Sequence, residues 1–255
     1  VVETALVKHI PKQNKLTELR HQLEKFHGVQ HKNAVSTAWP HLSHTDRFVR
    51  WAAMTAVMHQ PLEQWRNRAL GEKDPNKRVV ALLGLSKVVG SDPKNRKPDT
   101  PADLPEVDRP TSNLIFKSLS QVKWNQLDQQ GKLTLVRTYQ IALVRFGEPN
   151  LRAVAKIVAQ LDPHFPAPDF EQNWLLCETL AYLQAPNAAT KGIQLLNGAA
   201  TQEEQIEYAR SLRMLKQGWT IELRESYFNW FLKASNYRGG ASFSKFIEFN
   251  IYRFT

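Results

Sequence analysis

Asp46-Arg47-Phe48-Val49-Arg50-Trp51-Ala52-Ala53-Met54-Thr55-Ala56-Val57 and Asp74-Pro75-Asn76-Lys77-Arg78-Val79-Val80-Ala81-Leu82-Leu83-Gly84-Leu85 echo each other 28 positions apart. The aspartate, the arginine four residues later, a bulky apolar residue, an alanine and a closing aliphatic recur in register. Each aspartate stands where an N-cap belongs, accepting from first-turn amides that have no intrahelical partner. Pro75 falls on the first helical position, where its missing N–H costs nothing. Ala53 and Ala81 keep one stripe thin enough for a second helix to approach closely. Recurrence of one helical unit is the mark of an α-helical repeat array, and such arrays bind partners more often than they transform them.

Outward from this pair the chain gives helix signals almost throughout. Leu16, Leu19, Leu23 and Phe26 form a single apolar stripe at three- and four-residue spacing. Pro61 opens a segment carrying Leu62, Trp65 and Leu70, and the second echo helix ends at Gly90. Further helices are expected over 113–122, 132–146, 151–161, 169–183 and 189–196. Asp169 to Leu183 is a weaker echo, with Trp174 aligned on Trp51 but Asn173 in the arginine position. Thr201-Gln202-Glu203-Glu204 reads as a capping box, and Thr220 caps a last helix reaching about Ala234. No segment alternates with a strand's period. The expected fold is all-α: an irregular, HEAT-like α-solenoid of antiparallel helix pairs. Its 28-residue period is shorter than the 40–47 residues common for HEAT units, which predicts short outer helices.

Ser91 to Ser112 holds five prolines, at 93, 98, 101, 105 and 110. The expected organisation is a basic N-terminal subarray over 1–90, a proline-rich linker or long loop over 91–112, and a C-terminal subarray over 113–255. The two subarrays can also form one continuous solenoid.

The formal net charge is +10, with +8 of it in residues 1–100. A basic N-terminal region can meet phosphate, an anionic surface or an acidic partner, or its cations can simply solvate outer helix faces. Lys8, Lys12, Lys15, Arg47, Arg66, Arg68, Lys73 and Lys77 are the candidate basic contact surface. Arg50 and Arg78, recurring beside Asp46 and Asp74, are candidates for a structural ladder in which each arginine reaches a neighbouring repeat's aspartate. The seven tryptophans at 39, 51, 65, 124, 174, 219 and 230 could stack nucleobases beside a basic groove. Repeat positions are usually core, however, so packing is expected of them.

Other chemistry is thin. Cys177 is the single cysteine, which excludes an internal disulfide and a cysteine-rich zinc site, and it lies in an apolar helical stretch. Seven of eight histidines precede residue 60. His27 and His31 have the i,i+4 spacing of metal ligands, with His41 or His44 as further candidates. Gly28 ends a helix between the first two, so structural or surface roles are expected. Asn236-Tyr237-Arg238-Gly239-Gly240-Ala241-Ser242 is a turn whose amides could cradle an anion, with a plain interhelical turn as the simpler expectation. No catalytic, cofactor-binding or metal-binding residue is assigned, and no apolar run approaches the roughly 20 residues of a membrane span. The chain begins on Val1, as a fragment or processed product would.

Several phrases carry a family resemblance. They are Leu19 to Gly28, Ala38-Trp39-Pro40-His41-Leu42, Asp46 to Ala53, Asn173 to Leu180, Gln202 to Ala209, Tyr227 to Phe231 and Tyr237 to Phe243. Together they resemble the helical HEAT-like region of large exported planctomycete proteins, which join a sugar-dehydrogenase-like β-propeller to a c-type cytochrome domain. The haem attachment signature Cys-x-x-Cys-His is absent, so no haem ligand carries over to this chain. The resemblance implies a spacer module between redox domains, ending where the cytochrome domain would begin, and an exported or periplasmic setting. Two functions are therefore expected: a non-catalytic scaffold docking a protein or neighbouring domain, or, as the alternative, a basic nucleic-acid-binding protein resembling the HEAT-like DNA alkylation-repeat glycosylases.

Overall fold

Nine of the twelve described α-helices begin on a capping side chain, and two of the cap residues also align their helices with neighbours. In a computed structural model, residues 14–92, 107–240, 245, 247–249 and 252 are described. Their α-helices are α1 (Lys15–Glu24), α2 (Ala34–Ala38), α3 (Arg47–Met58), α4 (Arg66–Gly71), α5 (Pro75–Val89) and α6 (Arg109–Ser120). After these come α7 (Gln129–Phe146), α8 (Leu151–Leu161), α9 (Phe170–Tyr182), α10 (Ala188–Gly198), α11 (Gln202–Leu212) and α12 (Ile221–Ala234). Among the described residues there is no strand.

Asp46 accepts from the amides of Phe48 and Val49, both at 2.9 Å, and Asp74 accepts from Lys77 at 3.0 Å. Asp128 and Asp169 repeat the device on α7 and α9, taking the amides of Gly131 at 2.6 Å and Gln172 at 2.9 Å. Thr201 takes Glu204 N at 3.2 Å, and Thr220 takes Leu223 N at 3.3 Å. A cap is worth about 1 kcal/mol, and because the bond stays within one turn it is set by local sequence alone.

The odd-numbered helices form one row: α1 packs on α3, α3 on α5, α5 on α7, α7 on α9 and α9 on α11. The even-numbered helices line the other side, with α4 on α6, α6 on α8 and α10 on α12. Polar bonds between cap regions show that α5, α7 and α9 run parallel. Asp128 N donates to Asn76 Oδ1 at 3.3 Å, and Gln129 Nε2 donates to Asp169 Oδ2 at 2.9 Å. Between the rows lie fully buried Leu82, Leu85, Ile115, Leu119, Leu135 and Tyr139.

One sequence expectation changes here. The proline-rich segment ends earlier than Ser112, because α6 starts at Arg109, with Asp108 as its cap and Pro110 in its first turn, where proline is tolerated. The helices on either side of residues 93–106 also share one core. α5 packs along α7, Arg145 pairs with Asp92 at 2.6 Å, and buried apolar residues run in one cluster from Leu23 to Ile247.

Close helix approach at two glycines gives a paired prediction. A Cβ on Gly192 would stand 2.6 Å from Leu212 Cδ2 and 3.2 Å from Leu212 Cγ, where α10 meets α11. Gly192→Ala should therefore cost about 2 kcal/mol through overpacking. At Gly84 a Cβ would meet Met58 Cγ at 3.3 Å, Met54 Cγ at 3.4 Å and Met58 Sδ at 3.7 Å, and thioether chains adjust. Gly84→Ala should gain about 0.5 kcal/mol from helix propensity. Urea midpoints of the two variants check both signs.

Candidate binding groove

Arg47, Phe48, Arg50, Trp51 and Met54 on α3 face Val80 and Leu83 on α5, and Gln130, Leu133, Thr134 and Arg137 on α7, with Leu175 of α9 beyond. They enclose an open groove of about 590 Å³ on the face of the odd-numbered row. Phe48 and Trp51 are each 57% exposed on it. This overturns the expected core position of Trp51. Its helix buries Val49, Ala52, Ala53, Met54, Ala56 and Val57, and the indole projects from the remaining arc. A smaller hollow of about 220 Å³ lies alongside between α7 and α9, lined by Arg137, Gln140, Ile141, Val144, Glu178 and Tyr182, among others.

The groove's electrostatics are set by cations, and of these Arg50 has Asp128 and Asp46 as acidic neighbours. Lys87 Nζ sits 4.7 Å from the Trp51 ring centroid, and Arg47 Cζ sits 5.2 Å from that of Phe48. Arg137 donates to Gln140 Oε1 at 2.9 Å. Arg50 donates to the carbonyls of His44 at 2.6 Å and Thr45 at 3.4 Å. Burial lowers the Arg50 pKa, while Asp128 and Asp46 act against that shift. Burial, reinforced by Arg145, also lowers the Lys87 pKa. Among the described ion pairs none involves Arg47, Arg50, Lys87 or Arg137.

The candidate basic surface does not converge on this groove. Lys8 and Lys12 lie outside the described residues. Of the others only Arg47 lines it. Arg66 and Arg68 belong to α4 in the even-numbered row, with Arg68 Cζ 4.4 Å over the ring of Trp39. Lys15 opens α1, Lys73 stands in the α4–α5 loop, and Lys77 pairs with Asp74 of its own first turn at 3.5 Å.

The aspartate–arginine ladder also takes another form. Arg50 donates to a carbonyl six residues back, at His44, and Arg78 does the same at Glu72, so each fastens its helix to its own leading loop. The links between helices are instead made by Asn76, Gln129 and Gln172, whose amide also donates to Gln129 Oε1 at 3.1 Å. Asp128, like Asn14, Asp108 and Asn150, is a cap that the echo did not single out. Its signal was present in the sequence, since Lys132 follows it at the spacing that joins Asp46 to Arg50.

No family model, curated protein or solved structure matches this chain. Its chemistry must therefore be read from the residues themselves.

The remaining candidate groups take structural places. Cys177 is buried, and burial pushes its thiol up to about 12, which suppresses the reactive thiolate. Among the described residues no group of three His, Cys, Asp or Glu could hold a metal. The helix expected to end between His27 and His31 ends earlier, at Glu24, so both histidines lie beyond it, and Gly28 turns the chain with φ +74°. His27 Nε2 lies 2.9 Å from the Ala52 carbonyl, and His31 Nδ1 accepts from Asn33 N at 3.2 Å. His164 stacks on Trp124 at 4.5 Å beside Lys132 and Asp169, and burial, then Lys132, lower its pKa. At the C-terminal turn the Arg238 carbonyl accepts from Gln202, while residues 241 and 242 lie outside the described set. No helix among the described residues is long and apolar enough to cross a membrane.

Glu72 fixes the loop below α5. It accepts from Trp39 Nε1 at 2.6 Å, Lys73 N at 2.8 Å and Asp74 N at 3.0 Å. Burial alone would raise its pKa, but these donors together with Lys77 outweigh it and hold the carboxyl below 4.5. A depressed folded-state pKa contributes stability above the unfolded value that is lost as pH falls through the folded one. Glu72→Gln should thus lower stability at neutral pH by about 1–2 kcal/mol. It should also flatten the decline below about pH 4.5. Urea unfolding at neutral and acid pH reads both effects, and equal acid slopes in the two proteins would contradict this.

Proposed function

We propose that this chain is a non-catalytic, HEAT-like helical-repeat scaffold whose odd-numbered face docks a protein or a neighbouring domain of the same polypeptide. The observation that carries the proposal is the groove itself, where exposed Phe48 and Trp51 meet an aliphatic floor and the exposed cations Arg47 and Arg137. Exposed apolar area rimmed by polar groups marks interaction sites, and stacked helix pairs offer extended faces suited to this use. The family resemblance supports placing the module as a spacer within a larger exported redox protein.

Photo-crosslinking tests the docking face. A benzophenone side chain at Phe48 should capture a partner that one at Leu151, which opens α8 in the other row, does not. Equal capture from both positions would remove the proposal. A second reading rests on Trp51, because an exposed indole among cations can stack a nucleobase. That reading predicts duplex DNA binding with a steep loss of affinity in salt, and no binding at about 50 mM salt would end it.

A further inference from the structure

The groove's charge and shape specify its occupant more closely than docking in general. Arg47 on α3 and Arg137 on α7 line a floor of Met54, Val80, Leu83 and Leu133, and Lys87 of α5 sits over the Trp51 ring at its edge, while Arg50 is held by the carbonyls of its own leading loop. An occupant must bury apolar side chains on that floor and offer carboxylates to the rim. A second copy of this chain suits it poorly, since each copy carries +10. The groove walls are helices, whose backbone groups are already paired within each helix, so an extended peptide would find no strand edge to bond its own amides. A helical occupant satisfies its backbone internally and still presents an apolar stripe at i, i+3, i+4 and i+7.

We propose that the groove binds an acidic amphipathic helix, its aliphatic and aromatic stripe lying across α3, α5 and α7 to Leu175 of α9 and its flanking carboxylates pairing with Arg47, Lys87 and Arg137. This rests on the docking function proposed above and adds the chemical class of the partner. Crossing from α3 to α9 spans three interaxial steps of roughly 8–10 Å. That distance corresponds to roughly 16–20 residues of helix. The aliphatic floor favours this occupant over a nucleic acid, whose phosphates gain nothing from Met54, Leu83 or Leu133.

The probe is a fluorescein-labelled 20-residue peptide with Leu and Phe on one helical face and Glu elsewhere, titrated by anisotropy against the whole chain. Saturable binding is expected, weakened at least tenfold by the double variant Arg47→Glu/Arg137→Glu, whose side chains are both exposed, and also by Trp51→Ala. Circular dichroism confirms that the variants fold. A scrambled peptide of identical composition should bind at least tenfold more weakly. Equal binding of the scrambled peptide, indifference to the groove variants, or displacement by an equimolar 20-base-pair duplex would each overturn the proposal. Refusal of the peptide with intact crosslinking at Phe48 would sink this inference alone. Loss of both would sink the docking function with it.

Discussion

Trp65→Ala is expected to cost about 4 kcal/mol, whereas Trp51→Ala should cost less than about 1 kcal/mol. Trp65 is 1% exposed, and its indole N–H donates to the Gln60 carbonyl at 3.2 Å. Truncation there leaves a cavity in the core and strips a buried carbonyl of its partner. Gln60 is itself buried, and its side chain joins the 29–31 loop to α3. Its amide donates to the carbonyls of Val29 and Ala56, both at 3.0 Å, and its oxygen accepts from His31 N at 2.9 Å. Disturbing Trp65 therefore loosens the 29–31 loop as well. Trp51 is 57% exposed, and Lys87 is the cation over its ring, so its loss removes groove surface rather than core. Thermal unfolding should show Trp65→Ala melting roughly 10 °C lower, with Trp51→Ala close to the parent. Equal melting temperatures would contradict the burial contrast.

Trp51 and its counterpart in the second echo helix show what repeat register can and cannot reveal. Register aligned Trp51 with buried Val79, since each follows the recurrent arginine. Val79 is covered because α7 lies along α5, where Thr138 Oγ1 reaches the Val79 carbonyl at 3.2 Å. Burial at a repeat position depends on the helix that lies against it, and the echo carries no information about that neighbour. The caps were legible for the opposite reason. Asp46, Asp74 and Asp169 bond their own first turns, so four or five residues of sequence contain the whole interaction.

The groove was only partly legible. Arg47 could be nominated because it is basic and sits on an echo helix, but Arg137 and Lys87 join it through packing across 40 to 90 residues of chain. The interhelical glutamines were invisible altogether. Gln140 donates to Glu178 Oε2 at 3.0 Å and Thr179 Oγ1 at 3.1 Å, and Gln205 accepts from Trp230 Nε1 at 3.2 Å while donating to the Ala199 carbonyl at 2.8 Å. A glutamine facing water and one bridging helices look identical in sequence. Only the fold supplies the orphaned carbonyls at helix ends that such side chains satisfy.

Gln160 is the bridge whose removal should be felt most. Its amide donates to the carbonyls of Leu119 at 3.1 Å and Val122 at 2.7 Å, closing the end of α6, and its oxygen accepts from the fully buried Tyr139 hydroxyl at 2.5 Å. Burial also raises the Tyr139 pKa above its usual value, which keeps the phenol a neutral donor. Gln160→Leu should cost about 3 kcal/mol, because it strands that hydroxyl and the Val122 carbonyl together. The Leu119 carbonyl keeps Val122 N at 3.0 Å and is less affected. Tyr139→Phe should cost about 1–2 kcal/mol by leaving the Gln160 oxygen without its donor. In the double variant the phenylalanine removes the hydroxyl that leucine would have stranded, so the total should remain near 3 kcal/mol, a coupling of at least about 1 kcal/mol. Urea unfolding at unchanged m-value measures all three corners of the cycle against the parent. Strict additivity would mean that the two side chains do not share the buried bond and that α6, α7 and α8 are held by apolar packing alone.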